Sequence, residues 1–344
     1  MSSAGTIQFD FTVAIRAYNS AKSLPAVLEK LLKQVGTESF RWEVLVVDNN
    51  SQDATAAVVA DYAKRWRSDG QLRYVLEPRQ GQSFARECAI LNANTDLVGF
   101  LDDDNLPHPD WVAQACKFGQ AHPEVGAYGS NILAKLDGTP PPDFVQVNIY
   151  LAISHRGSTA YCYKRAYPRL VPIGAGCVIR KQAWFDSVPQ KRRLRGRFDQ
   201  NRKLVPSSSE DMEIMFNIQN NWQVWHNGKM VVEHHLALHR LETDYLLRIA
   251  RLGGLSAHAC RIAQLRSWQR PLMPLLVPLL LLFDGIRVAV CYLKDGRDFS
   301  HDRGKACNFQ FRLGRLLSPF LTPAPFSYED YPLTPETASA QSTQ

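Results

Sequence analysis

Short apolar runs alternate with segments of helical periodicity over roughly the first hundred residues. Four runs have the apolar and β-branched content of buried strands: FTVAIRAYN (11–19), WEVLVVDNN (42–50), LRYVLEP (72–78) and DLVGFLDDD (96–104). Apolar residues recur at helical spacing from Lys22 to Gln34, and helices also fit residues 53–66 and 83–92. Strands separated by amphipathic helices favour parallel pairing, so the pattern predicts a mostly parallel α/β sheet flanked by helices.

Polar residues end each predicted strand, at the edge where ligands bind in sheets of this type. The segments concerned are 16–19, 48–50, 77–81 and 102–105. Asp48 can serve a ligand there, or it can turn the chain and cap the next helix. The consecutive carboxylates Asp102, Asp103 and Asp104 repel one another and need a compensating cation. Such carboxylates suit Mg²⁺ or Mn²⁺, which bind through one or two of them together with substrate phosphates.

The phosphate-binding loops that often accompany such a sheet are missing from the sequence. RAYNSAKS follows the first strand where a GxGxxG loop would lie, and no GxxxxGK[ST] segment occurs. A bound diphosphate would therefore depend on a metal for charge neutralisation. The missing loop also argues against a nucleotidyltransferase, another enzyme class that combines an α/β sheet with metal-binding carboxylates.

Charge and cysteine content bear on the partners and the compartment. The formal net charge of +7 points to an anionic partner: a nucleotide, a nucleic acid, a phospholipid surface or an anionic polymer. No nucleic-acid-binding module is recognisable, so we predict no nucleic acid partner. Seven cysteines without a CxxC pair favour reduced thiols, and MSSAGTIQFD lacks the pattern of a secretory signal. We therefore expect a cytoplasmic location.

An ordered set of motifs resembles the family 2 glycosyltransferases of the GT-A fold. The set is VAIRAYN, VLVVDNNSQDAT, EPRQGQSFAREC, FLDDDNLPHPDW, GAGCVIRKQAW and SEDMEI, and the likeness covers roughly residues 10–250. The chain is most similar to bacterial enzymes of exopolysaccharide assembly, including the cyanobacterial hormogonium-polysaccharide type. The resemblance implies a Rossmann-like GT-A domain with a metal-dependent, inverting activity. The donor would be a nucleotide-sugar, by family tendency a UDP-sugar.

The acceptor implied by the resemblance is a saccharide or a lipid-linked saccharide, used in cell-surface polysaccharide synthesis. A non-catalytic, membrane-bound scaffold that keeps the fold is the remaining alternative, and intact Asp48, Asp104 and Asp211 argue against it.

The resemblance also implies roles for residues of the donor site. Asp48 matches the aspartate that pairs with the nucleobase, and Tyr18 and Asn19 lie in the loop beside it. Arg86, in FARE, matches an arginine that contacts the nucleotide. Glu77 stands where the family usually has asparagine, which leaves that position without an assigned role.

Within the acidic cluster, the resemblance implies a DxD pair. Asp102 would face the ribose or sugar, and Asp104 would bind the Mn²⁺ or Mg²⁺ that bridges the diphosphate. Asp103 is included in the donor site, although alternate strand residues face opposite sides and it can be a bystander.

A histidine late in the chain is the candidate third metal ligand or diphosphate contact. His234 is followed six residues later by Arg240, which is the spacing of the family's histidine and arginine. A purely structural histidine is the alternative reading, and His235 is the fallback ligand.

The catalytic base is expected in SSSEDMEIMF (207–216), which is suited to begin a helix with an acidic first turn. Sugar transfer needs a carboxylate to take the acceptor hydroxyl's proton as the oxygen attacks the anomeric carbon. Asp211 matches the second residue of the family's ED motif, and we predict it to be that base. Glu210 would support the acceptor or the loop geometry.

Two further segments belong to the predicted acceptor half. VPIGAGCVIR (171–180) has the composition of a strand interrupted by Gly174 and Gly176, where a ligand or another backbone approaches closely. QKRRLRGRFDQNRK (190–203) is by default a solvated basic loop. It could instead hold an anionic acceptor or order over the donor as a lid.

The C-terminal part changes character. PLMPLLVPLLLLF (271–283) is strongly apolar, but Asp284 and Arg287 interrupt it before the roughly 20 residues that a membrane span needs. Its basic flanks favour an interfacial or re-entrant segment on the cytoplasmic leaflet, with a single membrane-embedded, spanning helix near 271–293 as the second option. A buried core helix is the remaining alternative, and the prolines at 271, 274 and 278 argue against it. We therefore expect a peripheral enzyme on the inner face of the cytoplasmic membrane.

These patterns predict three parts of the chain. Residues 8–240 would form the GT-A catalytic domain, with a nucleotide-binding half at 8–110 and an acceptor half at 111–240. Residues 241–318 would form a helical, membrane-associated extension. Residues 319–344, rich in Pro, Ser and Thr, would be a disordered tail.

Overall fold

The computed structural model describes residues 8–67, 70–166, 169–196, 209–327 and 329–330. Its strands are β1 (Phe11–Ala17), β2 (Trp42–Asp48), β3 (Gly70–Leu76), β4 (Leu97–Asp102), β5 (Asn105–Pro107), β6 (Val125–Leu136), β7 (Tyr161–Cys162), β8 (Val178–Arg180) and β9 (Gln223–Leu236). Its helices are α1 (Leu24–Leu32), α2 (Thr55–Lys64), α3 (Gln82–Asn92), α4 (Trp111–Ala121), α5 (Phe144–Val147), α6 (Lys181–Ser187), α7 (Glu210–Ile218), α8 (Thr243–Leu255), α9 (Ala257–Gln264), α10 (Met273–Asp295) and α11 (Arg303–Leu321).

Within the described residues, one sheet contains nine strands in the order β3-β2-β1-β4-β8-β6-β9-β5, and β7 pairs with β9. The first four strands along this order are parallel, as their apolar runs predict. β8 is antiparallel to both β4 and β6, so the whole sheet is mixed. The predicted α/β class with flanking helices is confirmed.

Helices cover both faces of the sheet, so the central strands are buried along their length. β1 and β2 are buried at every position. One core lies against α1, α2 and α4, and it contains Phe11, Trp42 and Trp111. The other core lies against α3, α6, α7 and α9. Because both faces of the sheet are covered, the sequences of these strands are continuously apolar and do not alternate between apolar and polar residues.

The segment 171–180 is only partly the strand that its composition suggests. Val178–Arg180 forms β8, and the residues before it are irregular. Gly176 has a φ of +64°, a conformation that side chains disfavour. Gly174 lies so close to the start of α7 that a Cβ there would be 2.6 Å from the Asp211 Cβ. The two glycines therefore end the regular backbone and bring α7 against it.

The helices after residue 240 pack onto the acceptor half. α8 and α11 cross closely, since a Cβ at Gly254 would lie 2.1 Å from the Phe311 carbonyl oxygen. Both helices share a small core with residues before 240, including Leu151 and Leu236. Among the described residues, one helical stretch (Ser267–Asp298) is long and apolar enough to cross a membrane.

The predicted disorder from residue 319 does not hold for the first part of that segment. α11 continues through Pro319 to Leu321. Phe326 is buried, forms a β-bridge with Arg192, and packs edge-to-face on Phe84 with ring centroids 5.3 Å apart. An aromatic anchor in a Pro-rich segment can bury enough apolar surface to order it. Residues 328 and 331–344 of the predicted tail lie outside the described residues.

Candidate active site

The carboxyl ends of β1, β2 and β4 form one rim because these strands are parallel neighbours. Ala17 pairs with Asp48, and Arg16 pairs with Asp102. β5 follows β4 after a short turn and pairs antiparallel with β9, which sets Asn105 opposite His234. The topology thus brings a residue from late in the chain beside the acidic cluster.

Asp104 lies among basic side chains. Its Oδ2 is 3.0 Å from Arg240 Nη2 and 3.3 Å from His234 Nε2, while Arg240 Nη1 is 3.0 Å from the same imidazole nitrogen. A protonated ring donates from Nε2 to Asp104, whereas a neutral ring can present its lone pair at the same place. Burial would raise the pKa of Asp104, but His234 and Arg240 outweigh it and lower the pKa below its ordinary value.

Asp104 Oδ2 and His234 Nε2, which belong to the two predicted metal ligands, lie beside each other. The Arg240 guanidinium contacts both Asp104 Oδ2 and His234 Nε2, so it already places positive charge at these two atoms, and a metal ion bound to both would displace it. Among the described residues, no group of three or more His, Cys, Asp or Glu is arranged to hold a metal ion. A divalent cation with few protein ligands completes its coordination shell with substrate phosphates and water.

His235, the fallback ligand, faces elsewhere. Its Nε2 is 2.9 Å from both carboxylate oxygens of Asp137. Successive strand residues point to opposite sides, so His234 and His235 cannot both face Asp104.

Asp103 forms hydrogen bonds with the segment that begins α1. Its Oδ2 accepts hydrogen bonds from Ser20 Oγ at 2.6 Å and Ser23 Oγ at 2.8 Å. Burial, and then the neighbouring Asp104 charge, raise the pKa of Asp103 above its ordinary value. The contacts agree with the bystander reading of Asp103, whose carboxylate ties the β4 turn to α1.

Arg16 joins the acidic cluster to the ED motif, and sequence reasoning assigned it no role. Its guanidinium pairs with the Asp102 carboxylate and donates from Nη1 to Glu210 Oε1 at 3.0 Å. Arg16 and Glu210 are buried. A charged residue inside an apolar, fully buried strand is costly without partners, and that is the signal that could have marked Arg16.

Arg86 differs from its expected role. Its side chain has no exposed surface, and its Nη2 lies 3.5 Å from Glu210 Oε1. The guanidinium carbon sits 4.5 Å from the centre of the Phe100 ring. In this arrangement Arg86 supports Glu210 from inside the fold and offers no surface to a nucleotide.

Glu210 is therefore held by two arginines. Burial alone would raise its pKa, but Arg16 and then Arg86 outweigh burial and lower it. Glu210 stays ionised and fixes the first turn of α7. Ser209, directly before it, has a φ of +68°, which is strained for a non-glycine residue and directs the chain into the helix.

Asp211 has an opposite electrostatic environment. Its Oδ2 accepts a hydrogen bond from the Gly174 backbone N–H at 2.6 Å, and its Oδ1 accepts one from the Met212 N–H at 2.9 Å. Burial, and then the Glu210 charge, raise the pKa of Asp211 despite the Arg86 charge. A carboxylate with a raised pKa is a stronger base, which suits proton abstraction near neutral pH.

The predicted nucleobase residues occupy the neighbouring loops. Asp48 is buried and accepts hydrogen bonds from Ser51 N–H and Tyr74 Oη, both at 2.8 Å. Asn19 has a φ of +52° and accepts from the Gln52 N–H at 2.8 Å, which ties the loops after β1 and β2 together. The turn role that the sequence leaves open for Asp48 is thus present.

Tyr18 and Glu77 are two further positions considered in the sequence analysis. Tyr18, in the same loop, is 41% exposed and can meet a ligand. Glu77 is buried and binds Arg79 Nε at 2.7 Å, so its carboxylate serves the fold. Of the basic loop at 190–203, residues 197–203 lie outside the described residues, as do 204–208 before Ser209.

Known proteins resemble this chain in sequence and in fold. It is 31% identical over 121 residues to a dolichyl-phosphate beta-glucosyltransferase of Drosophila melanogaster, covering 33% of this chain and 37% of that one. It is 32% identical over 130 residues to the succinoglycan biosynthesis protein ExoO of Rhizobium meliloti, covering 38% and 35%. The chain thus spans about a third of the length of these relatives.

A solved structure shows the same fold. The mannosyltransferase PcManGT from Pyrobaculum calidifontis, in complex with GDP-Man and Mn²⁺, superimposes with a TM-score of 0.54 at 18% identity, over 90% of this chain and 88% of that one. Residues 12–186, about half of the 344 residues, match glycosyl transferase family 2. With the parallel strands, the acidic turn after β4 and the ED helix on one rim, the chain belongs to glycosyl transferase family 2.

Proposed function

We propose that this protein is a metal-dependent, inverting glycosyltransferase. It would move a sugar from a nucleotide-sugar, a UDP-sugar by family tendency, to a saccharide or lipid-linked saccharide acceptor. The observation that carries the proposal is the contact chain Asp102–Arg16–Glu210 along one rim of the sheet, which joins the acidic turn that contains Asp104 to the start of α7 that contains Asp211. It joins a carboxylate suited to a metal–diphosphate group to a carboxylate suited to act as a base.

The reaction follows from the opposite electrostatic environments of Asp104 and Asp211. The acceptor hydroxyl oxygen bonds to the anomeric carbon as the bond from that carbon to the diphosphate breaks, and Asp211 takes the hydroxyl proton. Attack opposite the leaving group inverts the anomeric centre in a single step. A Mn²⁺ or Mg²⁺ bound at Asp104 and His234 would supply charge stabilisation for the departing nucleoside diphosphate.

The remaining residues hold this arrangement. Glu210, fixed by Arg16 and Arg86, keeps the first turn of α7 in place, and Gly174 holds the Asp211 carboxylate from the other side. Asp102 and Tyr18 would contact the ribose, sugar or base of the donor. Asp48 and Asn19 shape the loop for the nucleobase through the loop contacts described above.

The acceptor and the location are supported by the C-terminal helices and by the relatives. α10 exposes a long apolar face flanked by basic residues, which suits an enzyme on the inner face of the cytoplasmic membrane. One relative is named as a dolichyl-phosphate beta-glucosyltransferase and another as a succinoglycan biosynthesis protein. We infer a role in bacterial cell-surface or exopolysaccharide synthesis, in which acceptors are saccharides or lipid-linked saccharides.

The first test is calorimetric titration of UDP and GDP into the full chain, with and without Mn²⁺ or Mg²⁺. Metal-dependent binding of one nucleotide is expected, and it would identify the donor base. Transfer from the corresponding nucleotide-sugars is then assayed with the anomeric configuration of the product read by NMR. No nucleotide binding under any metal condition would overturn the proposal and favour the non-catalytic scaffold, whereas nucleoside triphosphate turnover would favour a nucleotidyltransferase.

A further inference from the structure

Helix α10 presents a narrow stripe to the protein and a broad apolar face to the outside. Met273, Asp284 and Cys291 are buried and recur at helical spacing on the stripe. Among the exposed side chains of the opposite face are Leu275, Leu279, Leu282, Ile286, Val290 and Leu293. An exposed apolar surface that continues over about five turns marks an interaction face.

The middle of α10 carries charges that do not suit a membrane span. Asp284, halfway along the helix, is 2.5 Å from Arg261 Nη2 and 2.9 Å from Arg315 Nε. Arg287 follows one turn later. A spanning α10 would carry this whole cluster, with the part of α11 that holds Arg315, to the centre of the bilayer, where charges are rare and costly. A helix lying along the surface keeps them outside the hydrocarbon.

Two adjoining cavities of about 280 and 340 Å³ lie between α10 and α11. Both are lined by Arg287, Asn308 and Arg312, and the larger one also by Lys294. The carboxylate of Asp284 is already paired with arginines, and Asp295 lies 3.8 Å from Lys305 Nζ. Positive charge therefore exceeds negative charge in this groove, which suits an anion.

The larger cavity combines apolar and basic walls. Ile286 and Val290 from the exposed face line it together with Arg287, Lys294 and Arg312. Arg287 and Lys294 are two helical turns apart, so they share one edge of the apolar face. A phosphate beside the basic side chains and an acyl chain along the apolar ones would fill such a groove, which is the chemistry of an anionic phospholipid.

We propose that α10 lies in the plane of an anionic leaflet and that the groove lined by Arg287, Lys294 and Arg312 binds a phospholipid headgroup. The inference rests on the proposed membrane location but not on sugar transfer. It fixes the orientation of the enzyme: α10 enters the interface with its apolar face, and the charged stripe around Asp284 stays on the protein side.

The headgroup site is tested by flotation of the full chain with vesicles of phosphatidylcholine alone or mixed with phosphatidylglycerol. The double variant Arg287→Gln/Lys294→Gln should bind the anionic vesicles roughly 25-fold more weakly, at about five-fold for each charge, and Arg312→Gln about five-fold more weakly. The matched control Lys64→Gln/Lys117→Gln removes the same charge from exposed positions on α2 and α4. Equal losses of vesicle binding in both double variants, or binding that does not depend on vesicle charge, would refute the proposed headgroup site.

The orientation is tested with spin labels at Leu275, Leu282 and Leu293, which lie on one face of α10. Cys162, the exposed native cysteine, is replaced by serine in these variants, and the other six are buried. In-plane docking predicts one shallow depth for all three labels. A deep label at Leu282 with the other two near opposite surfaces would mean a span, and a soluble dimer that ignores vesicles would mean self-association through α10. Either result refutes the proposal.

UDP and GDP titrations of the groove variants separate this inference from the proposed activity. Unchanged nucleotide binding with weakened vesicle binding supports a membrane site independent of the donor site. If the wild type binds vesicles as expected but binds no nucleotide and transfers no sugar, the proposed activity fails and the membrane inference stands.

Discussion

The turn after β4 and the start of α7 each place carboxylates on the same rim, yet their surroundings are opposite. Asp104 lies between His234 and Arg240, which lower its pKa. Asp211 is partly buried and lies beside the ionised Glu210, and both effects raise the pKa of Asp211. When the surroundings of two carboxyl groups shift their pKa values in opposite directions in this way, one group is suited to hold a cation and the other to move a proton.

The largest effect is expected from Asp211→Asn. Loss of the base should lower kcat by about 10²–10⁴-fold, because the amide cannot accept the hydroxyl proton. Metal-dependent nucleotide binding should persist, since Asp104 and His234 are unchanged. The control is Asp244→Asn, the same substitution in the exposed first turn of α8. Near wild-type turnover in a folded Asp211→Asn variant would remove Asp211 from the mechanism.

The adjacent pair Asp104 and Asp103 gives the sharpest test of the other region. Asp104→Asn should weaken Mn²⁺-dependent nucleotide binding by roughly 100-fold or more, since a metal ligand worth several kcal/mol is lost. Asp103→Asn makes the same charge change one residue away, where the carboxylate faces Ser20 and Ser23. It should weaken binding less than about ten-fold and lower stability by about 1 kcal/mol. Equal losses in the two variants would contradict the separate roles.

Arg16 links the two regions, and its removal should cost stability more than donor binding. Arg16→Met leaves Asp102 and the buried Glu210 without their shared cation, at a cost of about 3–5 kcal/mol in the free energy of unfolding. Arg16→Lys keeps the charge but cannot bind both carboxylates with one fork, so an intermediate loss is expected. Urea titration measures both values. Wild-type stability in Arg16→Met would show that the pairs contribute nothing to folding.

Sequence reasoning predicted the parallel strands and the polar residues at their ends because each rests on a local pattern. The apolar runs ending in Asp48 and in Asp102–Asp104 give both the parallel strands and the rim. It also predicted that Asp103 could be a bystander, from strand alternation alone. These features need no knowledge of which distant residues meet.

The remaining features depend on contacts between distant segments. Arg16 and Glu210 are 194 positions apart, and only the completed sheet brings them together. The burial of Arg86 and the packing of Phe326 on Phe84 likewise arise because α3 contacts both α7 and the segment that follows α11. Such features lie beyond sequence reasoning because periodicity describes one element at a time, whereas a partner's identity depends on the assembled layers.

The smallest effect concerns pH, and it separates the two carboxylates without changing either. Because burial and Glu210 raise the pKa of Asp211, the fraction of ionised base falls with decreasing pH sooner than for an ordinary aspartate, whose pKa is about 3.9. The acidic limb of kcat should therefore have its midpoint above that value, with kcat falling up to about ten-fold per pH unit below it. Asp104, with its pKa lowered, stays ionised over the same range and contributes no such limb. A pH series of kcat at saturating donor measures the limb, and it should vanish from the residual activity of Asp211→Asn. A limb that persists in that variant would assign the titration to another group and contradict the role of Asp211.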